Sequence, residues 1–163
     1  MDAILPQLQE PIKIILFEPQ IPPNIGAVSR ICACIGSPLY LAGDLSFDEN
    51  HPRRKRAGLD YWELVEKIYL RDAHEMFERV GERYFLFSTK VGKSMYEAEF
   101  RPGDALIFGS ETAGLPPQMV QEHAAHALRI PMVADVRSLN LANSVGIAAY
   151  EAVRQIHRLS APH

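Results

Sequence analysis

The sequence predicts an α/β fold, a mostly parallel sheet flanked by helices. Three observations carry this. Short apolar runs alternate with longer stretches of helical periodicity along the whole chain. YFLFST (84–89) and ALIFG (105–109) are apolar on both faces, as strands become when helices cover a parallel sheet twice. No repeat or low-complexity tract interrupts the pattern.

The elements follow in order. IKIILF (12–17), bounded by prolines, reads as a buried strand. NIGAVSRICACIG (24–36) places Ile25, Val28, Ile31, Cys32 and Ile35 at helical spacing, with Asn24 as the expected N-cap and Gly36 as the stop. PLYLA (38–42) is a second strand. Residues 43–59 are polar and irregular. LDYWELVEKIYL (59–70) and DAHEMFERVG (72–81) read as two short helices or helical turns. After the two strands named above, PPQMVQEHA (116–124) opens on prolines and reads as a helix. ALRIPM (127–132) is a last strand. A long helix follows over about 139–158, with Val145, Ala148, Ala149, Ala152, Val153 and Ile156 as its buried stripe.

At 163 residues the chain is read as one domain over 1–163, with 1–11 expected to be a flexible extension ahead of the first strand. A domain of this size buries enough surface to need no staple. The two cysteines, Cys32 and Cys34, stand two apart on a helix and point to different faces, so neither a disulfide framework nor a metal clip follows. No basic n-region and no run of roughly 20 apolar residues is present, so a cytoplasmic protein without a membrane span is expected. The net charge of −3 argues against tight, non-specific binding of nucleic acid. Positive charge is nevertheless concentrated at Arg53, Arg54, Lys55 and Arg56, readable as a solvated loop or as a set of phosphate contacts.

Ligands of open parallel sheets sit at the carboxyl ends of strands, so the segments that follow strands matter most. EPQIPPNIGAVSR (18–30) places Asn24 at a helix mouth and Arg30 on what reads as the second turn, close to the positive end of the dipole. IFGSETAGLPP (107–117) has two glycines in six residues around Ser110, Glu111 and Thr112. It is neither a dinucleotide fingerprint, a P-loop nor a nucleophile elbow. VADVRSLNLANS (133–144) crowds Ser138, Asn140, Asn143 and Ser144 into the opening of the long helix. One cap residue would suffice, and buried amides without partners would cost a few kcal/mol each.

In this order the three loops resemble the motifs of the SPOUT class of RNA methyltransferases. Within that class they resemble most the bacterial tRNA 2′-O-methyltransferases that modify the wobble nucleotide, the TrmL type. RRKRAGLDYWE (53–63) and FSTK (87–90) extend the likeness over nearly the whole chain. The resemblance implies a C-terminal deep trefoil knot, a homodimer, tRNA as partner and S-adenosylmethionine as cofactor, with no metal. It implies a catalytic set of Arg30, Asn24, Glu111 and Asn140, and a cofactor site of Phe87, Gly109, Ile130, Ser138 and Asn143. Arg53, Arg54, Lys55 and Arg56 would contact RNA. The alternatives are a relative acting on another tRNA site or on ribosomal RNA, and a non-catalytic RNA-binding relative. Ala113 and Ala134 stand where relatives often carry an arginine or other polar residue and a proline. No histidine lies within the three motifs. Arg30, effectively always protonated, is therefore expected to grip a phosphate and stabilise oxyanion charge rather than abstract a proton.

Overall fold

The computed structural model describes residues 4–45 and 61–158. The basic run at 53–56 lies outside them. Six strands form one sheet: β1 (Lys13–Phe17), β2 (Leu39–Ala42), β3 (Lys67–Leu70), β4 (Tyr84–Phe87), β5 (Ala105–Phe108) and β6 (Ala127–Leu128). Their order is β3-β2-β1-β5-β4-β6, and every pairing is parallel. The helices are α1 (Pro22–Ile35), α2 (Ala73–Val80), α3 (Pro117–Glu122) and α4 (Leu141–Ile156).

Strand alternation divides the core into two layers. Ile14 and Leu16 of β1 point into one layer with Ile25, Val28 and Cys32 of α1 and with Val145, Ala148, Ala149 and Ala152 of α4. Ile15 and Phe17 point into the other, beneath Met76 and Val80 of α2 and Met119 and Val120 of α3. Burying one such Ile, Leu or Met side chain contributes roughly 1.5–3 kcal/mol, so this two-sided burial is the main driving force. Small residues bring α4 close to α1: a Cβ on Gly146 would lie 3.4 Å from Cδ1 of Ile31.

Four readings of the sequence need correction. KIYL is not helical but the edge strand β3: Ile68 and Leu70 both face the α2 layer, whereas Tyr69 is 44% exposed. Four residues of period-two pattern are too few to stand out against the helical spacing around them. Helix α1 begins at Pro22, so its N-cap is Ile21, which makes no side-chain cap bond, and Asn24 lies inside the first turn. Proline suits this position because its missing N–H would have no partner there. The strand at 127 stops after Leu128. Arg129 then turns to the segment after β4, donating to the Lys93 carbonyl at 2.8 Å and accepting from Met95 N–H at 2.9 Å. Finally, α4 is shorter than expected at both ends.

Candidate active site

The loops that follow β4, β5 and β6 stand side by side because those strands are neighbours in the sheet. Between them opens a cavity of about 620 Å³. Phe87 and Phe108 end adjacent strands and stack at 4.7 Å between centroids, 11° from parallel, giving it an apolar wall. Ile130, Leu139 and Leu141 contribute further apolar surface, and Ser88, Ser110, Ser138 and Ser144 add hydroxyls.

Gly109 is required by the loop itself. A Cβ there would sit 2.0 Å from the carbonyl carbon of Gly114 and 2.1 Å from the nitrogen of Leu115. The loop doubles back so tightly because Gly114 adopts φ +69°, a conformation costly for other residues, and its N–H donates to the Ser110 carbonyl at 2.9 Å.

Glu111, projecting from this loop, ties it to α1. One carboxylate oxygen accepts from Gln20 N–H at 2.8 Å; the other accepts from Ile21 N–H at 2.9 Å and from the Asn24 amide at 3.3 Å. The carboxylate thus binds the two N–H groups that lead into α1, at the positive end of the helix dipole, while Pro22 and Pro23 leave no N–H of their own to cap. Thr112 adds a second tie, its hydroxyl donating to Gln20 Oε1 at 2.7 Å. The third loop joins through amides: Asn140 donates to Asn24 Oδ1 at 2.9 Å, and its own Oδ1 caps α4 by accepting from Asn143 N–H at 3.2 Å. Segments more than a hundred residues apart are therefore linked by a continuous hydrogen-bonded path.

Of the residues singled out from sequence, Phe87, Gly109, Glu111, Ile130 and Ser138 line the cavity. Asn24 and Asn140 stand behind it as the link just described. Asn143 is exposed, outside the cavity lining, and serves the α4 cap through its backbone. Arg30 is exposed on the third turn of α1, beyond the reach of a dipole effect that fades within the first turn. Its guanidinium lies instead 4.7 Å from the centroid of the Tyr61 ring. Among the described residues, no histidine lines the cavity. His123 and His126 pack on Tyr84 on the α3 side, where burial raises the Tyr84 hydroxyl above its ordinary pKa.

Sequence reasoning passed over two cations that line the cavity, Lys90 and Arg137. Each is a cation in a segment that follows a strand, Lys90 after β4 and Arg137 after β6, and that placement is the signal the sequence carries for them. Thr112 has no partner in its own loop motif; the fold supplies one by bringing Gln20 to its hydroxyl.

The model of the SpoU rRNA methylase family matches residues 11–150. The chain belongs to the SpoU methylase family. A Bacillus subtilis relative named putative tRNA (cytidine(34)-2′-O)-methyltransferase is 39% identical over 148 residues, 88% of this chain and 92% of the relative. The Photorhabdus asymbiotica tRNA (cytidine(34)-2′-O)-methyltransferase is 40% identical over 152 residues, 89% of this chain and 94% of its own length. A solved structure described as giving insight into 2-OH methylation of C/U34 on tRNA superposes with a TM-score of 0.83 at 44% identity, covering 90% of this chain and 96% of that one. The six-stranded parallel sheet is thus the SpoU sheet, and the three-loop cavity lies at the strand ends of a SpoU methylase.

Proposed function

We propose that this SpoU methylase transfers a methyl group from S-adenosylmethionine to the ribose 2′-hydroxyl of the wobble nucleotide in tRNA. The observation that carries the reading is the meeting of three strand-end loops around one cavity, locked to α1 through Glu111, Asn24 and Asn140. The relatives matched over nearly their full length favour tRNA position 34 over ribosomal RNA as substrate.

The residues present suit the cofactor. The cavity falls within the roughly 300–1,000 Å³ typical of small-molecule sites, with apolar walls and a few convergent polar groups. Phe87, Gly109, Ile130 and Ser138 would hold it, with Asn143 acting through the α4 cap. When bound, S-adenosylmethionine supplies an activated methyl group on a good leaving group, so the protein's main tasks are alignment and exclusion of water. Arg30 grips the phosphate beside the target ribose and stabilises negative charge developing on the 2′-oxygen. A guanidinium does not act as a base, so the proton leaves to a neighbouring phosphate oxygen. Asn24, Glu111 and Asn140 keep the α1 face that carries Arg30 in register with the cavity.

Three further elements belong to this reading. Ile147 and Tyr150 on α4 are 39% and 49% exposed and Ile21, just ahead of α1, is 42% exposed, apolar side chains suited to a homodimer contact. The tail is threaded as a trefoil knot, as membership of the SpoU methylase family favours. Arg53, Arg54, Lys55 and Arg56 contact RNA phosphates, so affinity for tRNA falls steeply with salt.

Calorimetry on the purified chain should give heat with S-adenosylhomocysteine; its absence refutes the cofactor. Mass-spectrometric mapping of tRNA from a deletion strain should show loss of a 2′-O-methyl group at the wobble position, and an unchanged map refutes the substrate. Arg30→Ala should bind S-adenosylhomocysteine normally and lose about 10²–10³-fold in kcat.

A further inference from the structure

We infer that Tyr61 is a positioning residue for Arg30, its ring serving as the platform on which the guanidinium is oriented toward RNA. This rests on the role proposed above for Arg30.

The geometry is specific. The Arg30 guanidinium carbon lies 4.7 Å from the Tyr61 ring centroid, inside the range of a cation–π contact. The ring is itself held. The next residue, Trp62, is 1% exposed and belongs to the same core layer as Ile25, Val28 and Cys32 of α1. Leu64 N–H donates to the Tyr61 carbonyl at 3.0 Å, closing the short 3₁₀ turn Trp62–Leu64. Lys67 donates its ammonium to the Trp62 carbonyl and lies 5.0 Å from the indole ring. Tyr61 therefore leaves the core from a fixed anchor packed against the helix that carries Arg30.

Such a platform answers a problem the helix leaves open. An arginine side chain carries much rotamer entropy, and on the third turn the dipole no longer orients it. An aromatic face attracts the cation without neutralising it. It also engages the face of the guanidinium rather than its N–H edge, which is the part that grips a phosphate. The ring thus lowers the entropic cost of aligning Arg30 while leaving its charge for the reaction.

The test has two arms on the full chain. In carbon-13 NMR spectra, the δ-methylene protons of Arg30, identified by their loss in Arg30→Lys, should be shifted upfield by the Tyr61 ring current. The shift should persist in Tyr61→Phe and vanish in Tyr61→Leu; its absence from the wild-type chain overturns the inference, whether or not any variant folds. In steady-state tRNA methylation, Tyr61→Leu should lower kcat about two- to fivefold with KM for tRNA and affinity for S-adenosylhomocysteine unchanged. Tyr61→Phe should restore the wild-type rate, and Tyr61→Leu should add nothing in an Arg30→Ala background. Wild-type kcat in Tyr61→Leu, or an equal loss in Tyr61→Phe, overturns it. Full activity in Arg30→Ala would instead sink the assigned role of Arg30, while the ring-current shift would still report the stack.

Discussion

The two ends of the sheet use the same device, a carboxylate that gathers N–H groups, to different effect. At the amino end, Asp104 is fully buried. It accepts two bonds from the Arg83 guanidinium, at 2.6 and 2.9 Å, and one from Arg101 N–H at 2.8 Å. This fastens the turn before β5 to the start of β4. The end of α4 reinforces it, with Gln155 accepting from Phe100 N–H and donating to the Ala98 carbonyl. At the carboxyl end, Glu111 is only partly buried and gathers the Gln20 and Ile21 N–H groups and the Asn24 amide. Asp104 joins neighbouring strands that would lie together in any case; Glu111 joins a cavity-lining loop to the helix behind it. One carboxylate is stability, the other alignment.

The contrast can be broken most severely at Gly109. Gly109→Ala should abolish binding of S-adenosylhomocysteine in calorimetry, because the new methyl group meets loop backbone at 2.0 Å, which cannot move without opening the loop. Next comes Asp104→Ala, expected to cost about 2–4 kcal/mol in chemical denaturation through loss of charge-assisted bonds at a buried site. Affinity for S-adenosylhomocysteine should not change. Glu111→Gln should do the reverse. The amide keeps the side chain's shape but gives up half of the acceptor set, so stability should fall by only about 1 kcal/mol while kcat drops by an order of magnitude or more. If the two variants exchange effects, the division of labour is wrong.

The smallest effect concerns acid. A hydrogen bond from Arg154 holds the Glu151 carboxyl below its ordinary value against a smaller opposing push from burial, and a weaker bond from Gln155 acts in the same direction as Arg154. A depressed carboxyl contributes stability that is fully present above its unfolded value near 4.5 and is lost as pH falls through the lower folded value. Glu151→Gln should therefore flatten part of the stability loss measured by denaturant titration below pH 4.5. It should leave the carboxyl-end cavity, and ligand binding at neutral pH, as they were.

Legibility in the sequence follows the same physical division. Long segments with many periodic residues were readable: α4 and its stripe of Val145, Ala148, Ala149 and Ala152, and the double-faced runs of β4 and β5. Four-residue β3 was not, because two periods of alternation carry little signal beside the flanking charges. The Asn24 cap was misjudged for a different reason. The groups at the mouth of α1 are satisfied by Glu111, some ninety positions away in the chain, and local sequence cannot announce a remote partner.

The sequence by itself determined the class of fold, the candidate loops and the residue types available to the chemistry, since periodicity, turn chemistry and charge are local properties. Tertiary structure alone decided which loops are neighbours, which amide answers which carboxylate, and what orients Arg30. Those outcomes depend on strand order and on contacts between distant segments, and such contacts exist only once the sheet has assembled.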